Sequence, residues 1–200
     1  MGRAAVLNSE RSRARHREIL NEAMRIVGEK GYYGFGLQEL ADRCGVTKAG
    51  LLHYVGSKEQ LLLSLLEDRD AANERAALAL VGARSDALAQ ADDRRERLLE
   101  ALVAIVCNNA KQAEATRLQV VLRAEAINRE HPAHRYFHSR EASKQTLLAE
   151  ALEGIVSVPT STARAIISLI SGLEEEWLRE DQAFDLVEES RRALRALMTP

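Results

Sequence analysis

Lys48 and His53, with the hydroxyl of Thr47, are the side chains here whose spacing could do chemistry: hydrogen-bond donation to an acceptor-rich partner. Ala49, Gly50 and Leu52 lie among them. All six are left pointing outward if Leu51 and Tyr54 face inward on a short helix that Thr47 caps. The preceding residues hold that helix at a defined angle. Leu37, Leu40, Ala41 and Cys44 fall at i, i+3, i+4 and i+7, one apolar face of a two-turn helix. Gly45 supplies a left-handed backbone that turns the chain within three residues, and Val46 plugs the corner. Small Ala41 lets the two helices cross closely. An ordinary αα-hairpin needs only the glycine turn. Agreement at so many positions instead describes a helix-turn-helix, whose second helix presents its N-terminal end to a major groove. The DNA-facing set is then Gln38, Thr47, Lys48, Ala49, Gly50, Leu52, His53, Tyr54 and Lys58. Lys48 and His53 are placed to reach bases, with a phosphate as the other option for His53, and Lys58 is placed to meet a phosphate at a helix start.

The flanks agree. Upstream, Ile19, Leu20, Ala23, Met24, Ile26 and Val27 form one side of a long amphipathic helix that the glycines of Gly31-Tyr32-Tyr33-Gly34-Phe35-Gly36 end. Downstream, Ser57-Lys58-Glu59-Gln60 reads as a capping box ahead of Leu61, Leu62, Leu65 and Leu66. Arg11, Arg13, Arg15 and Arg17 suit either a solvated helix start or an arm on DNA phosphates or the minor groove.

The block GYYGFGLQELADRCGVTKAGLLHYVGSKEQLL, Gly31 to Leu62, resembles the N-terminal domain of the TetR family of bacterial transcriptional regulators. The matching positions are Gly31-Tyr32, Leu40-Ala41, Gly45-Val46-Thr47-Lys48, Leu51, His53-Tyr54 and Ser57-Lys58-Glu59. Three features depart from the family pattern: Gly36 stands where Thr or Ser is usual, Leu52 where Tyr or Phe is frequent, and Val55-Gly56 where Phe-Pro is common. The resemblance implies an all-α protein: a three-helix DNA-binding head, residues 1–57, on a larger helical effector-binding and dimerisation body, residues 58–200. The implied function is a ligand-responsive repressor that binds a near-palindromic operator as a homodimer and is released by a small molecule. The alternative is a helix-turn-helix protein that binds DNA without an effector.

Composition fits this division. Net charge is −2, yet residues 1–60 hold ten Lys/Arg against seven Asp/Glu, and the remainder eighteen against twenty-three. A basic head on an acidic body concentrates phosphate attraction at one end. Three prolines and 46% hydrophobic residues favour helices around a sizeable core. No apolar run approaches the roughly 18 residues needed to span a bilayer, so a cytoplasmic protein without a membrane partner is expected. Cys44 and Cys107 sit in helical apolar patterns and read as buried hydrophobes rather than a disulfide.

Beyond residue 57, helices are read at 58–82, 92–111, 115–130, 132–156, 161–179 and 184–198, with breaks at Arg84-Ser85-Asp86, His131-Pro132 and Ser157-Val158-Pro159. On the resemblance, the pair 132–156 and 161–179 forms the dimer interface through Leu147, Leu148, Ala151, Leu152, Ile166, Ile170, Gly172 and Leu173. The same resemblance implies an effector pocket in the middle of the body. It would be lined by Leu65, Arg69, Leu99, Leu102, Val103, Val106, Leu118, Val121, Leu122, Glu125 and Trp177. Glu125 falls on an apolar stripe, where it would pair with Arg129 or with another helix, or face a cationic or hydroxyl-bearing ligand. The 58–82 helix, running from Lys58 past Leu65 and Arg69, is the natural lever between pocket and head. His131, His134 and His138, with Glu141, have metal-ligand spacing, but Arg135 and Arg140 oppose a cation, so neither metal nor cofactor is expected. Asp92-Asp93 lacks a facing acidic motif. No nucleophile–base pair appears, and catalysis is not expected.

Overall fold

The computed structural model describes residues 3–84 and 93–198, and among them the chain is all helix. The helices are α1 (Arg3–Gly34), α2 (Leu37–Arg43), α3 (Lys48–Val55), α4 (Lys58–Arg84), α5 (Asp93–Lys111), α6 (Ala113–Glu125), α7 (His134–Leu152), α8 (Pro159–Arg179) and α9 (Leu186–Leu197). The expected break at Ser85-Asp86, like Asp92, lies outside the described residues.

Local chemistry sets most ends. Asp185 caps α9 by accepting from the Val187 and Glu188 amides at 3.0 and 3.1 Å. Pro159 opens α8 at its first turn, where its missing N–H costs nothing. The largest departure from expectation is between α6 and α7. The helix read to residue 130 stops at Glu125, and a chain of turns follows. Asn128 accepts there from the Glu130 amide at 3.0 Å, and the His131 amide donates to Asn128 O at 3.1 Å. A side-chain acceptor at 128 and a proline at 132 both compete with helix continuation.

Three apolar clusters hold these helices. The first does not stop at residue 57. It joins Ile19, Ile26, Leu40 and Leu51 of the head to Leu61 and Leu65 of α4, Leu118 and Leu122 of α6, and Phe137 of α7. The second packs α5, α7, α8 and α9 around Leu99, Leu152, Ile166 and Leu194. The third gathers Val106, Trp177, Leu178 and Leu186. Ion pairs between Arg191 and Glu100, and between Arg195 and Glu96 at 3.1 Å, tie α9 to α5 at the surface.

Candidate nucleic-acid interface

The turn between α2 and α3 is a glycine-stopped helix end. Gly45 has φ +62°. The Val46 amide reaches back to Ala41 O at 3.0 Å, and the Gly45 amide to Asp42 O at 3.1 Å. Thr47 then caps α3, its Oγ1 accepting from the Gly50 amide at 3.0 Å. A Cβ at position 50 would lie 3.2 Å from that same Oγ1, so Gly50 leaves the cap undisturbed. Leu51 and Val55 are buried beneath, and Thr47, Lys48, Ala49 and His53 are exposed. Donors and small side chains therefore cluster at the first turns of α3, the arrangement that places a helix end against base edges.

The other expected contacts sit differently. Leu52 and Tyr54 are half-buried. Tyr54 packs against the first apolar cluster, its ring centroid 6.0 Å from that of His53. Gln38 is exposed on α2 and donates to Asp42 Oδ1 at 2.8 Å. Gly36 precedes α2 without any side-chain cap. Among the clustered arginines of α1, Arg15 is spent inside the head, donating to Cys44 O and to Glu18 at 2.7 Å, while Arg11, Arg13 and Arg17 are exposed. Ser57 accepts from the Gln60 amide at 3.1 Å, the first half of the expected capping box.

Lys58 departs most from its expected place. Its ammonium lies over the Tyr32 ring, 4.4 Å from the centroid, and 5.3 Å from that of Phe35. Burial lowers its pKa, with the Glu59 and Glu125 carboxylates acting in the opposite sense. Beneath it, burial first and then the Glu59 carboxylate push the Tyr32 phenol up to about 12.

Glu125 explains why these aromatics hold together, and it does so by a contact the sequence reading missed. Among the described residues the carboxylate makes no ion pair with Arg129. It reaches from the end of α6 to the break in α1, where Gly31 has φ +70°, and accepts the Tyr32 amide at 2.8 Å. A Cβ at Gly31 would lie 2.0 Å from Glu125 Oε1. His131 Nε2 stands 3.4 Å from the same carboxylate, and the Tyr32 and His131 ring centroids are 5.1 Å apart, edge to face. Head and body thus meet at a glycine, an amide, a carboxylate and an imidazole. A polar residue on an apolar stripe and a glycine at a helix end were visible separately; their pairing across 93 residues was not. His131 is thereby separated from His134 and His138, which lie on α7 with ring centroids 6.2 Å apart. The three do not share the face that their spacing suggests, because His131 precedes the helix.

The residues expected to line one effector pocket are divided among packed cores. Leu65, Leu118 and Leu122 belong to the first cluster, Leu99, Leu102 and Val103 to the second, and Val106 and Trp177 to the third. Val121 is half-buried. A cavity of about 400 Å³ does open between α6, α7 and α8, but the α6 face lining it carries Val120, Arg123 and Ala124. Of the expected set, Arg69 lines an opening, a smaller cleft beside Tyr136 and Phe137.

The expected dimer residues also divide. Leu147 is 62% exposed. Gly172 is exposed with open space around its missing Cβ, and Leu148, Ala151, Ile170 and Leu173 are half-buried. Leu152 and Ile166 are instead fully buried in the chain's own core. Leu152 lies roughly 140° around its helix from Leu147 and Ile166 roughly 120° from Gly172, and a charge at Ile166 would disrupt the fold rather than only an interface.

Residues 19–65 match the family described as bacterial regulatory proteins, tetR family. The HTH-type transcriptional activator FasR of Mycolicibacterium smegmatis is 34% identical over 90 residues, 45% of this chain and 38% of FasR. The HTH-type transcriptional regulator BetI of Rhizobium meliloti is 36% identical over 52 residues, 26% of each chain. The alignments thus span well under half the length of these relatives. The fold likeness extends much further. AibR, solved with isovaleryl coenzyme A and operator DNA, superposes with a TM-score of 0.67 at 23% identity, covering 93% of this chain and 99% of that one. The helix-turn-helix thus resembles the tetR family of bacterial regulatory proteins over residues 19–65, and the chain as a whole shares the fold of AibR.

Proposed function

We propose that the protein is a ligand-responsive transcriptional regulator that binds a near-palindromic operator as a homodimer. The observation that carries this reading is the α2–α3 unit. Its glycine-stopped turn leaves Thr47, Lys48, Ala49 and His53 exposed at the start of a helix whose other face is buried. One such head makes few base contacts, so a second copy is needed for affinity. Two recognition helices about one DNA turn, ~34 Å, apart supply it. Residues 1–57 act as the DNA-reading head and 58–200 as the effector and dimerisation body, although one apolar cluster runs through both. The name of AibR's complex, with operator DNA and an acyl coenzyme A, supports pairing such a head with an effector in the body. Release of DNA follows if the ligand favours a head spacing unlike the operator-bound one, by ~3 kcal/mol for a hundredfold effect.

Fluorescence anisotropy with duplexes covering the DNA beside its own gene tests this. Wild type selects one near-palindrome, and Lys48→Ala relaxes preference at one base pair by ~1–3 kcal/mol. A steep salt dependence with equal affinity for every duplex would replace this reading with sequence-independent binding.

A further inference from the structure

Arg69 lies in α4, 6% exposed, in the middle of the body. Its Nη1 donates to Thr116 Oγ1 at 3.3 Å. Its Nε and Nη2 are buried and have no hydrogen-bond partner. The nearby Glu174 and Asp70 carboxylates offset its charge without bonding to those two atoms. Glu174 accepts from Asn109 Nδ2 and, among the described residues, makes no ion pair with Arg69. Asp70 is already held by Arg140 Nε at 2.6 Å, by Lys144 Nζ at 3.2 Å and by the Tyr136 hydroxyl. The free edge of the guanidinium, one Nε–H beside one Nη2–H, is the geometry that grips a carboxylate through two parallel bonds. Leaving those donors buried and unpaired disfavours the empty state.

The space around them is graded. At Arg69 the cleft has room for about 10 Å³, near that of one water. Phe137 and Glu141 form a wall shared with the cavity of about 400 Å³, whose apolar side carries Val120, Ala124 and Ile127. Ile127 is 81% exposed there. The first space is polar and about the size of one water, and the second has room for an apolar chain.

We propose that Arg69 anchors the carboxylate of an apolar monocarboxylic acid, whose chain passes Phe137 and lies along Val120, Ala124 and Ile127. This deepens the reading of the protein as a ligand-responsive regulator and rests on it for the word effector, but the site itself stands on the geometry of Arg69.

The full-length protein is titrated with octanoate, octylamine and octyl phosphate, following melting temperature and binding heat. Octanoate raises the melting temperature in proportion to its concentration, and octylamine does not. Arg69→Met weakens octanoate binding about tenfold or more, and Arg69→Lys, which keeps the charge without the fork, lies between. Without ligand, Arg69→Met melts below wild type, because the buried Glu174 carboxylate loses the cation that offsets it. Arg69→Lys that binds octanoate as tightly as wild type overturns the proposal, because the fork then does nothing. So does octanoate that fails to bind, or binds Arg69→Met as tightly, and so does octyl phosphate binding more tightly than octanoate. If octanoate binds through Arg69 yet leaves operator binding unchanged, the site stands and the effector mechanism falls. If no operator is selected at all, the regulator reading falls while the titrations still decide the site.

Discussion

His131 is held neutral by its surroundings. Its Nδ1 accepts from the Ala133 amide at 3.2 Å, so in the neutral ring Nε2 carries the proton and points at Glu125 Oε2, 3.4 Å away. Burial is the larger influence and lowers its pKa below 6.5, with the Glu125 carboxylate partly opposing. Below pH 6.5 the unfolded chain therefore binds a proton that the folded chain refuses, and stability is lost as pH falls from there through the folded pKa. The urea midpoint should drop between about pH 7 and about pH 5.5, and His131→Gln should flatten that part of the profile. Equal slopes in the two proteins would assign the titration to other groups. At this scale the sequence showed a histidine with two others at metal-ligand spacing. Only the fold, by placing it before α7 and under Tyr32, turned it into a buried imidazole beside Glu125.

Elements differ in what their glycines do, and two of them make a quantitative comparison. Gly45 and Gly31 both have left-handed backbones, with φ of +62° and +70°. A Cβ at Gly45 meets open space, so Gly45→Ala costs only the backbone conformation, about 1–2 kcal/mol. At Gly31 the same change adds a collision with the Glu125 carboxylate and loss of its bond to the Tyr32 amide. There the cost is roughly 2–4 kcal/mol. Urea denaturation of the two variants ranks them. Equal losses would mean that Glu125 swings aside freely and that the contact between α6 and α1 does little. The Gly45 turn was legible because all its partners lie within a few residues. The Gly31 junction was not, because its partner lies on α6.

Across the whole molecule, the separation of core from surface on α7 and α8 decides how a dimer could form. Leu147 is exposed and Ile166 is fully buried. Leu147→Asp should leave the chain folded but shift sedimentation from dimer to monomer and weaken operator binding. Ile166→Asp should lower the melting temperature by burying an unpaired charge, whatever the oligomeric state. A Leu147→Asp variant that stays dimeric with wild-type DNA affinity would move the interface to another surface. Charge acts at the same scale, since the basic residues of the first 60 positions steer the head toward phosphates while the acidic remainder turns DNA away.

The sequence by itself determined the helix-turn-helix, because a 3.6-residue apolar period, one left-handed glycine and one N-cap threonine act over neighbours along the chain. It also determined that the body is helical and roughly where most of its helices run. It placed Glu125 on an apolar stripe, Arg69 on the lever helix and His131 at metal-ligand spacing, without saying what each would meet. The tertiary structure decided that Glu125 caps the α1 break, that His131 leaves the His134–His138 face, that Lys58 lies over Tyr32, and that Arg69 keeps two buried donors free. Helical periodicity fixes which face of a helix is apolar. Which helix then packs on that face, and at what rotation, depends on side-chain fit between segments distant in sequence, and a buried charge reports its partner only once that fit is made.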